Sequence, residues 1–159
     1  MKTFRSASFS VALVPLALAA LAISAPLLAN SALLSFSIRR FFSIVCHEDP
    51  ARSFWLAGAP VAVCVRCLGI YLGAALGAGL NSARASRPRL LRIVMTVAAL
   101  NALDVAAESL SLHGNLPTLR FALGLAMGAA LGALVAASVV RSAAESAALN
   151  LHRSPSHPL

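Results

Sequence analysis

Charged residues are scarce in this chain, and their scarcity excludes the usual soluble folds. Lys, Arg, Asp and Glu make up 11% of the 159 residues, whereas a typical soluble domain has about 25%. Only five residues are acidic, and 59% are hydrophobic. This balance predicts an integral membrane protein, and the length accommodates one domain.

The chain also lacks a solvated basic face with interleaved aromatic residues, although its formal net charge is +8. The arginines stand at the ends of apolar runs, where they set membrane topology and meet anionic lipid headgroups. We therefore expect the lipid bilayer as a partner and no nucleic acid. Nothing in the sequence outlines a substrate pocket, so an enzyme is the less favoured class.

Cysteine is rare as well, with three residues, Cys46, Cys64 and Cys67. An odd number of thiols excludes a purely structural set of disulfides, because one thiol is left over. A c-type haem is also excluded, since Leu68 stands where the haem motif requires a histidine after C-x-x-C.

Four apolar runs are long enough to cross a bilayer, which takes about 20 residues each. They predict an all-α fold, a bundle of four transmembrane helices at 10–34, 61–80, 90–112 and 119–140, with a kink at Pro26. The expected domains are an N-terminal helix over 1–34, a cysteine-motif segment with three helices over 35–140, and a disordered tail over 141–159. The tail histidines, His152 and His157, are expected to be solvated.

The basic N-terminus before the first run is also how secretory signal peptides begin. The apolar core of this run, 11–29, is longer than the usual hydrophobic region of a signal peptide. Pro26 disfavours cleavage after Ala25, whereas cleavage after Ala29 stays open. We expect the first helix to remain uncleaved, as a signal anchor.

The distribution of positive charge favours one orientation. Loops and termini on one side of a four-helix topology carry eight basic residues, against five on the other side. Because the more basic side faces the cytoplasm, we expect both termini in the cytoplasm, the protein in a prokaryotic inner membrane, and the cysteine segment outside. The eight are Lys2, Arg5, Arg84, Arg87, Arg89, Arg92, Arg141 and Arg153; the five are Arg39, Arg40, Arg52, Arg66 and Arg120.

Two further patterns concern packing. The segment 35–60 is rich in aromatic residues and arginine, which favour the headgroup zone, so we expect it at the membrane interface.

Glycine recurs at every fourth position in the second and fourth runs, and such stripes let helix backbones approach closely in lipid. We expect these helices to pack on each other or on neighbours, and a homo-oligomer through these glycine-striped helices is a further prediction. The glycines are Gly69, Gly73, Gly77, Gly124, Gly128 and Gly132.

Cys46-His47 and Cys64-Val65-Arg66-Cys67 are the chemically richest part of the chain. Three thiols and an imidazole match the ligand count of a tetrahedral zinc site, and thiolates also suit iron or Cu(I). The same C-x-x-C at a helix start is typical of a redox dithiol, and cysteines packed in an inert core are a third interpretation. A metal site would make the chain a metal-binding membrane protein, structural or involved in metal handling. A redox dithiol would make it a membrane thiol-disulfide oxidoreductase. A small transporter or channel subunit is a third candidate function.

Acidic residues within the third run form a second constellation. Asn101, Asp104 and Glu108 share one helix face, in the half of the bundle that also holds the cysteines. Ionised carboxylates in a membrane helix are costly, so we expect them to pair with Arg66 and Arg120 and stabilise the bundle. The alternative is that one of them serves the cysteine site or carries protons. The remaining polar candidates beside the site are Arg52 and Tyr71.

Three stretches, FFSIVCHEDPARSFWLAG, VAVCVRCLGIYLG and LDVAAESLSLHGNLPTLRFALGLAMG, resemble the uncharacterised prokaryotic membrane proteins grouped as domain of unknown function 2085. The resemblance covers about residues 40–140. Glu48 stands where that family often has Gln, and Leu68 where Thr is common. The resemblance implies a membrane protein and brings no activity with it. The matching positions are Cys46, His47, Arg52, Ser53, Phe54, Cys64, Arg66, Cys67, Gly69, Ile70, Tyr71, Gly73, Asp104, Arg120 and Gly124.

Overall fold

The computed structural model describes residues 2–47, 49–80, 86–112, 114 and 116–153. Most of this chain is helical. The helices are α1 (Lys2–Leu27), α2 (Ala32–Phe42), α3 (Val65–Gly79), α4 (Arg87–Ser109) and α5 (Pro117–Arg153). Between α2 and α3 lie a 3-10 turn, Pro50–Arg52, and an antiparallel hairpin of β1 (Trp55–Leu56) and β2 (Ala59–Pro60).

Within the described residues, three helices are long and apolar enough to cross a membrane: Phe9–Leu27 of α1, Arg87–Ser109 of α4 and Pro117–Ser146 of α5. The prediction of a helical membrane protein is confirmed at this level. The second predicted crossing, 61–80, contains only the 15-residue helix α3, which is about 22 Å long against a hydrocarbon core of about 30 Å. Four transmembrane helices are therefore not established by helix length.

The predicted second helix is shortened because residues 61–64 are not helical: the chain bends at Ala62 and Val63. Val61 donates its backbone N–H to the carbonyl of Phe54 at 2.8 Å, and Cys64 has extended dihedrals as the N-cap of α3. Val61, Ala62 and Val63 are 4%, 0% and 0% exposed. A short apolar run has the same composition whether it forms a buried non-helical segment or part of a helix.

A proline explains where this non-helical segment attaches. In a continuous helix the N–H of residue 26 would bond to the carbonyl of Ala22, but Pro26 has no N–H. The Ala22 carbonyl instead accepts the backbone N–H of Ala62 at 3.3 Å. Helix α1 ends at Leu27, one residue later, so Pro26 ends the first predicted helix where a kink within 10–34 was expected.

The two glycine stripes lie face to face between α3 and α5, which confirms that these helices pack together. A methyl group added at any of the six glycines would overlap a backbone oxygen of the facing helix. Gly69 faces Phe121 and Gly77 faces Ala129, so residue numbers rise together and α3 runs parallel to α5. Both stripes are buried within one chain, and the homo-oligomer through these helices stays a prediction.

Helix α4 returns the chain between these two parallel helices and packs on α5. Asn101 contacts Leu123, and Glu108 contacts Arg120. Residue numbers therefore rise along α4 as they fall along α5, so the two helices are antiparallel. Leu90 and Asp104 are its buried residues. Most of its apolar surface is exposed, as expected for a helix facing lipid.

Helix α5 continues to Arg153, beyond the predicted end at Val140 and into the segment that the sequence predicts to be disordered. The residues after Val140 include Ser-Ala-Ala-Glu-Ser-Ala-Ala-Leu, and alanine has the highest helix propensity. Residues 154–159, including His157, lie outside the described residues. The proposed division into domains stays a prediction.

Candidate metal centre

The sulfur atoms of Cys46, Cys64 and Cys67 converge, and all three lie within 4.8 Å of one another. Cys46 comes from the turn after α2, while Cys64 is the N-cap of α3 and Cys67 lies in the first turn of that helix. Cys46 is 7% exposed, and the other two are half-buried. The fold therefore assembles one cluster from two separate elements.

Phe42 fixes the end of α2 over the start of α3. Its side chain is fully buried, and its ring lies 6.1 Å from that of Tyr71, one turn below Cys67. The carbonyl of Phe42 accepts the backbone N–H groups of Val45 and Cys46 at 3.0 and 2.9 Å. The turn that ends α2 thus directs Cys46 toward the C-x-x-C pair.

The N-terminus of α3 supplies a polar contact to the cluster. The backbone N–H of Cys64 donates to the Cys46 sulfur at 3.3 Å. Free N–H groups at a helix start favour negative charge and stabilise thiolates. Hydrogen bonds from backbone N–H groups to sulfur are also a common means of tuning metal-thiolate sites.

The spacing of the sulfurs suits one ion. Zinc binds thiolate at about 2.3 Å, so tetrahedral sulfurs are about 3.8 Å apart. Three sulfurs within 4.8 Å of one another reach that spacing with shifts of about 1 Å or less. The three cysteines can therefore hold one metal ion without a change of fold.

The fourth predicted ligand, His47, is not part of this group. Among the described residues, the possible ligands that come together are the three cysteines alone. The chain turns Cys46 inward and His47 outward, so Cys46 is buried and His47 is exposed. His47 therefore lies apart from the cysteine cluster, although it follows Cys46 directly in the sequence. Glu48 and His113 lie outside the described residues.

A layer of ion pairs lies at the same end of the bundle, and the expected pairs are present. Asp104 accepts a hydrogen bond from Arg66, and Glu108 pairs with Arg120. The Asp104 and Arg120 side chains are 3% and 4% exposed. Buried charges of this kind persist because each has a partner that offsets the loss of water.

The ion pairs extend from the bundle into the loop between α2 and α3. Arg52 contacts Glu108 at 3.3 Å and Asp49 at 3.2 Å. Glu108 therefore links Arg120 inside the bundle to Arg52 on the loop. These residues, together with Asp104 and Arg66, comprise three arginines and three carboxylates, so the layer has no net formal charge.

Aromatic packing attaches the loop at a second point, a contact that the sequence did not predict. The ring of Phe54 lies 5.7 Å from that of Phe121, in an edge-to-face arrangement. Arg39 of α2 also donates to the carbonyl of Pro60 at 2.6 Å. Phe42 and Phe121 carry no chemistry that a motif search detects, and Phe54 stands out in the sequence only as a position of the family resemblance.

Residues 46–134 match the model of a family described as "Predicted membrane protein (DUF2085)". The match covers more than half of the chain. This chain belongs to the DUF2085 family. The matched region begins at Cys46 and includes the three cysteines, α3, α4 and the first part of α5.

One curated relative is the uncharacterized protein MJ1492 of Methanocaldococcus jannaschii, 43% identical over 44 residues. That alignment spans 28% of this chain and 28% of the relative, so the similarity concerns a segment of both proteins. No solved structure matches the chain.

Proposed function

We propose that this DUF2085 protein binds one zinc ion through the thiolates of Cys46, Cys64 and Cys67, and that the ion has a structural role. The observation that carries the proposal is the convergence of three sulfurs from two elements within 4.8 Å. The ion would tie the loop 43–64 to the start of α3. Neighbouring thiolates repel one another, and a bound cation offsets that repulsion, so metal binding and folding of the loop are coupled.

Zinc rather than an iron-sulfur cluster suits the number of thiols. Structural zinc sites include sets of three cysteines and one histidine, whereas iron-sulfur clusters are usually held by four cysteines. The fourth ligand in our proposal is His47, which follows Cys46 directly and is free to rotate because it is exposed. A water molecule is the alternative fourth ligand.

We further propose that α3 crosses the membrane together with the buried non-helical segment 61–64 before it. The roughly 22 Å of α3 leaves about 8 Å of a hydrocarbon core of about 30 Å, and four residues have a reach of at most about 13 Å. Non-helical backbone is tolerated at membrane depth where it is buried in protein. Full burial of Ala62 and Val63 supports this arrangement. Four crossings put both termini on one side, which the charge distribution assigns to the cytoplasm of a prokaryotic inner membrane.

Metal analysis of the purified protein tests the zinc site. We expect about one equivalent of zinc in the native protein and none in Cys46→Ser or Cys67→Ser, because two thiolates bind zinc far more weakly than three. Val45→Ser is the matched control, since it puts the same side chain at the exposed neighbour of Cys46. Zinc retained in Cys46→Ser would contradict the three-sulfur site.

His47→Ala then decides the fourth ligand. If His47 binds the ion, this variant has a lower zinc affinity with an unchanged stoichiometry at saturating zinc. If water is the fourth ligand, the variant binds zinc as the native protein does. Neither result affects the three-cysteine proposal, which rests on the serine variants.

A thiol-disulfide oxidoreductase is the second candidate function. The observation in its favour is that Cys64 is the N-cap of α3 and Cys67 lies in the first turn, where a helix start activates thiolates. Oxidation of these two thiols to a disulfide releases two electrons and two protons, which a membrane quinone would accept. Thiol counting and intact mass separate the candidates, because a Cys64–Cys67 disulfide in metal-free native protein would overturn the zinc proposal.

A further inference from the structure

Helix α2 has one buried side and one exposed apolar side. Ile38 and Phe42 are buried, in the same apolar cluster as Ala19, Ala22 and Ala25 of α1. The rest of the helix, with the turn that follows it, exposes large apolar side chains. They are Leu33, Leu34, Phe36, Phe41, Ile44 and Val45, and the first and the fifth are 80% and 81% exposed. Exposed apolar side chains clustered in this way mark a contact surface.

The two ends of α2 contact the bundle at different levels. At the start of the helix, the Ser35 hydroxyl donates to the carbonyl of Ala25 at 3.0 Å, close to the end of α1 at Leu27. At its end, the ring of Phe42 lies 6.1 Å from that of Tyr71. The level of Tyr71 relative to α1 therefore decides the direction in which α2 runs.

Tyr71 lies deeper in the bundle than Ala22. Ala62 donates its backbone N–H to the Ala22 carbonyl, and an apolar pocket further along is lined by Val14 of α1 and Ala74 of α3. Residue numbers thus fall along α1 as they rise along α3, so the Tyr71 Cα lies about 10 Å deeper than the start of α3. Helix α2 therefore descends beside α1, from the level of Ala25 to a level between Ala22 and Tyr71.

These levels lie within the apolar span of α1. Phe9–Leu27 has 19 residues and is about 28 Å long, close to the hydrocarbon core of about 30 Å. Ala25 and Ala22 lie about 3 and 8 Å inside the end of this span. The exposed side of α2 is therefore continuous with the lipid-facing surface of α1.

The polar side chains of α2 suit this position. The exposed Ser37 donates its hydroxyl to the Leu33 carbonyl at 2.8 Å, within the helix. Arg39 donates to a loop carbonyl at 2.6 Å. Arg40 is exposed and contacts the Ser43 hydroxyl at 3.4 Å. An arginine side chain is long enough to bring its charge from this shallow depth to the headgroups.

We propose that α2 and the turn 43–45 form a re-entrant segment, whose exposed side binds the acyl chains of the leaflet at the cysteine end. Ile44 is then deeper in the membrane than Leu33, whereas a helix lying flat at the interface has both at one depth. Since Cys46 follows this turn, the segment also carries Cys46 below the membrane surface to the start of α3. The proposal rests on the crossing of α1 and is independent of the zinc site.

Tryptophan quenching by brominated phospholipids measures the depth of each end. Trp55 is the only tryptophan in the chain, so Trp55→Phe gives a background without tryptophan. Leu33→Trp or Ile44→Trp is added to that background, and the full chain is reconstituted in phosphatidylcholine brominated either near the headgroup or near the middle of one acyl chain. The two positions are about 16 Å apart along a helix axis.

We expect bromines near the middle of the chain to quench Ile44→Trp at least about twofold more than Leu33→Trp, because the deeper side chain is closer to them. Bromines near the headgroup should give the reverse order. Met95→Trp, at an exposed position within the apolar span of α4, gives the quenching of a lipid-facing residue. Leu149→Trp, exposed beyond the apolar span of α5, gives that of a residue in water.

Circular dichroism establishes that each variant is folded, and Phe36→Trp and Phe41→Trp replace the first pair if either of its members does not fold. Equal depth at the two positions would show a helix in the plane of the interface and would overturn the proposal. Quenching at both positions as weak as in Leu149→Trp would show that water or another protein covers this side of α2, and would overturn it as well.

Discussion

At the scale of single residues, the bundle places two ionised groups, Asp104 and Arg120, where almost no water reaches them. Asp104 pairs with Arg66 and Arg120 pairs with Glu108, and in each pair the two residues come from different helices. Replacing one member of such a pair leaves the other charge buried without compensation. These contacts therefore hold α3, α4 and α5 together, and the lack of net charge in the layer favours this stabilising role over proton transfer.

Asp104→Asn tests that role. We expect it to lower the free energy of unfolding by about 3–5 kcal/mol, because it leaves Arg66 beside a neutral amide. Asp49→Asn is the matched control: the Asp49–Arg52 pair is half-exposed, so its loss should cost less than about 1 kcal/mol. Unfolding in detergent, followed by circular dichroism, measures both.

Zinc content of the same Asp104→Asn protein separates structure from chemistry. A structural carboxylate leaves the zinc stoichiometry and affinity unchanged. If affinity falls while the stability of the bundle is retained, Asp104 serves the cysteine site and the stabilising interpretation is wrong.

At the scale of the elements, the contact between α3 and α5 depends on glycine more than any other contact in the described chain. Backbone oxygens of one helix lie where the Cβ atoms of the other would be, so the helices approach as closely as their main chains permit. Such contacts are favourable in lipid because close packing replaces the hydrophobic effect that soluble helices use. The fixed α3 then presents Cys64 and Cys67 to Cys46.

Gly73→Ala should separate these two helices. Its new methyl group would overlap the carbonyl oxygen of Leu125, which cannot move away as a flexible side chain can. We expect a loss of about 3 kcal/mol or more in unfolding free energy. Gly79→Ala has no atom within 4 Å of the added Cβ and should be neutral or slightly stabilising. If Gly73→Ala and Gly79→Ala have the same free energy of unfolding, close α3–α5 packing is not what stabilises the bundle.

The loop between α2 and α3 should respond to metal removal on its own. Chelation of zinc removes the tie between Cys46 and α3, so we expect faster amide hydrogen exchange over 43–60 and unchanged exchange in α4 and α5. In Cys67→Ser, the amide hydrogens of 43–60 should exchange fast without chelator, and the chelator should not increase their exchange rate. Exchange over 43–60 that does not respond to chelation of the native protein would contradict a structural role for the ion.

At the scale of the whole molecule, the sequence predicted the features that depend on regular spacing. Glycines four residues apart and acids on one helix face lie where a helix must put them, so their packing and pairing followed from periodicity. Hydropathy could not show that 61–64 is not helical, since buried helical and non-helical segments are equally apolar. The direction of His47 depends on the turn after α2, which is fixed by the packing of Phe42 against Tyr71 and not by a motif.

The number of crossings decides on which side each terminus lies, and this gives a test of the complete topology. Three crossings put the termini on opposite faces of the membrane, whereas four put them on the same face. The parallel packing of α3 on α5 supports four, because α3 then crosses in the same direction as α5 with α4 returning between them.

Reporter fusions in a bacterial host measure this directly. Green fluorescent protein fused after residue 159 should fluoresce, and so should a fusion to the N-terminus, because both ends are cytoplasmic in our proposal. Alkaline phosphatase inserted after Gly114, in the exposed turn between α4 and α5, should be active, since it folds only outside the cytoplasm. A fluorescent N-terminal fusion together with an active phosphatase after residue 159 would show that α3 does not cross, and the four-helix topology would then be wrong.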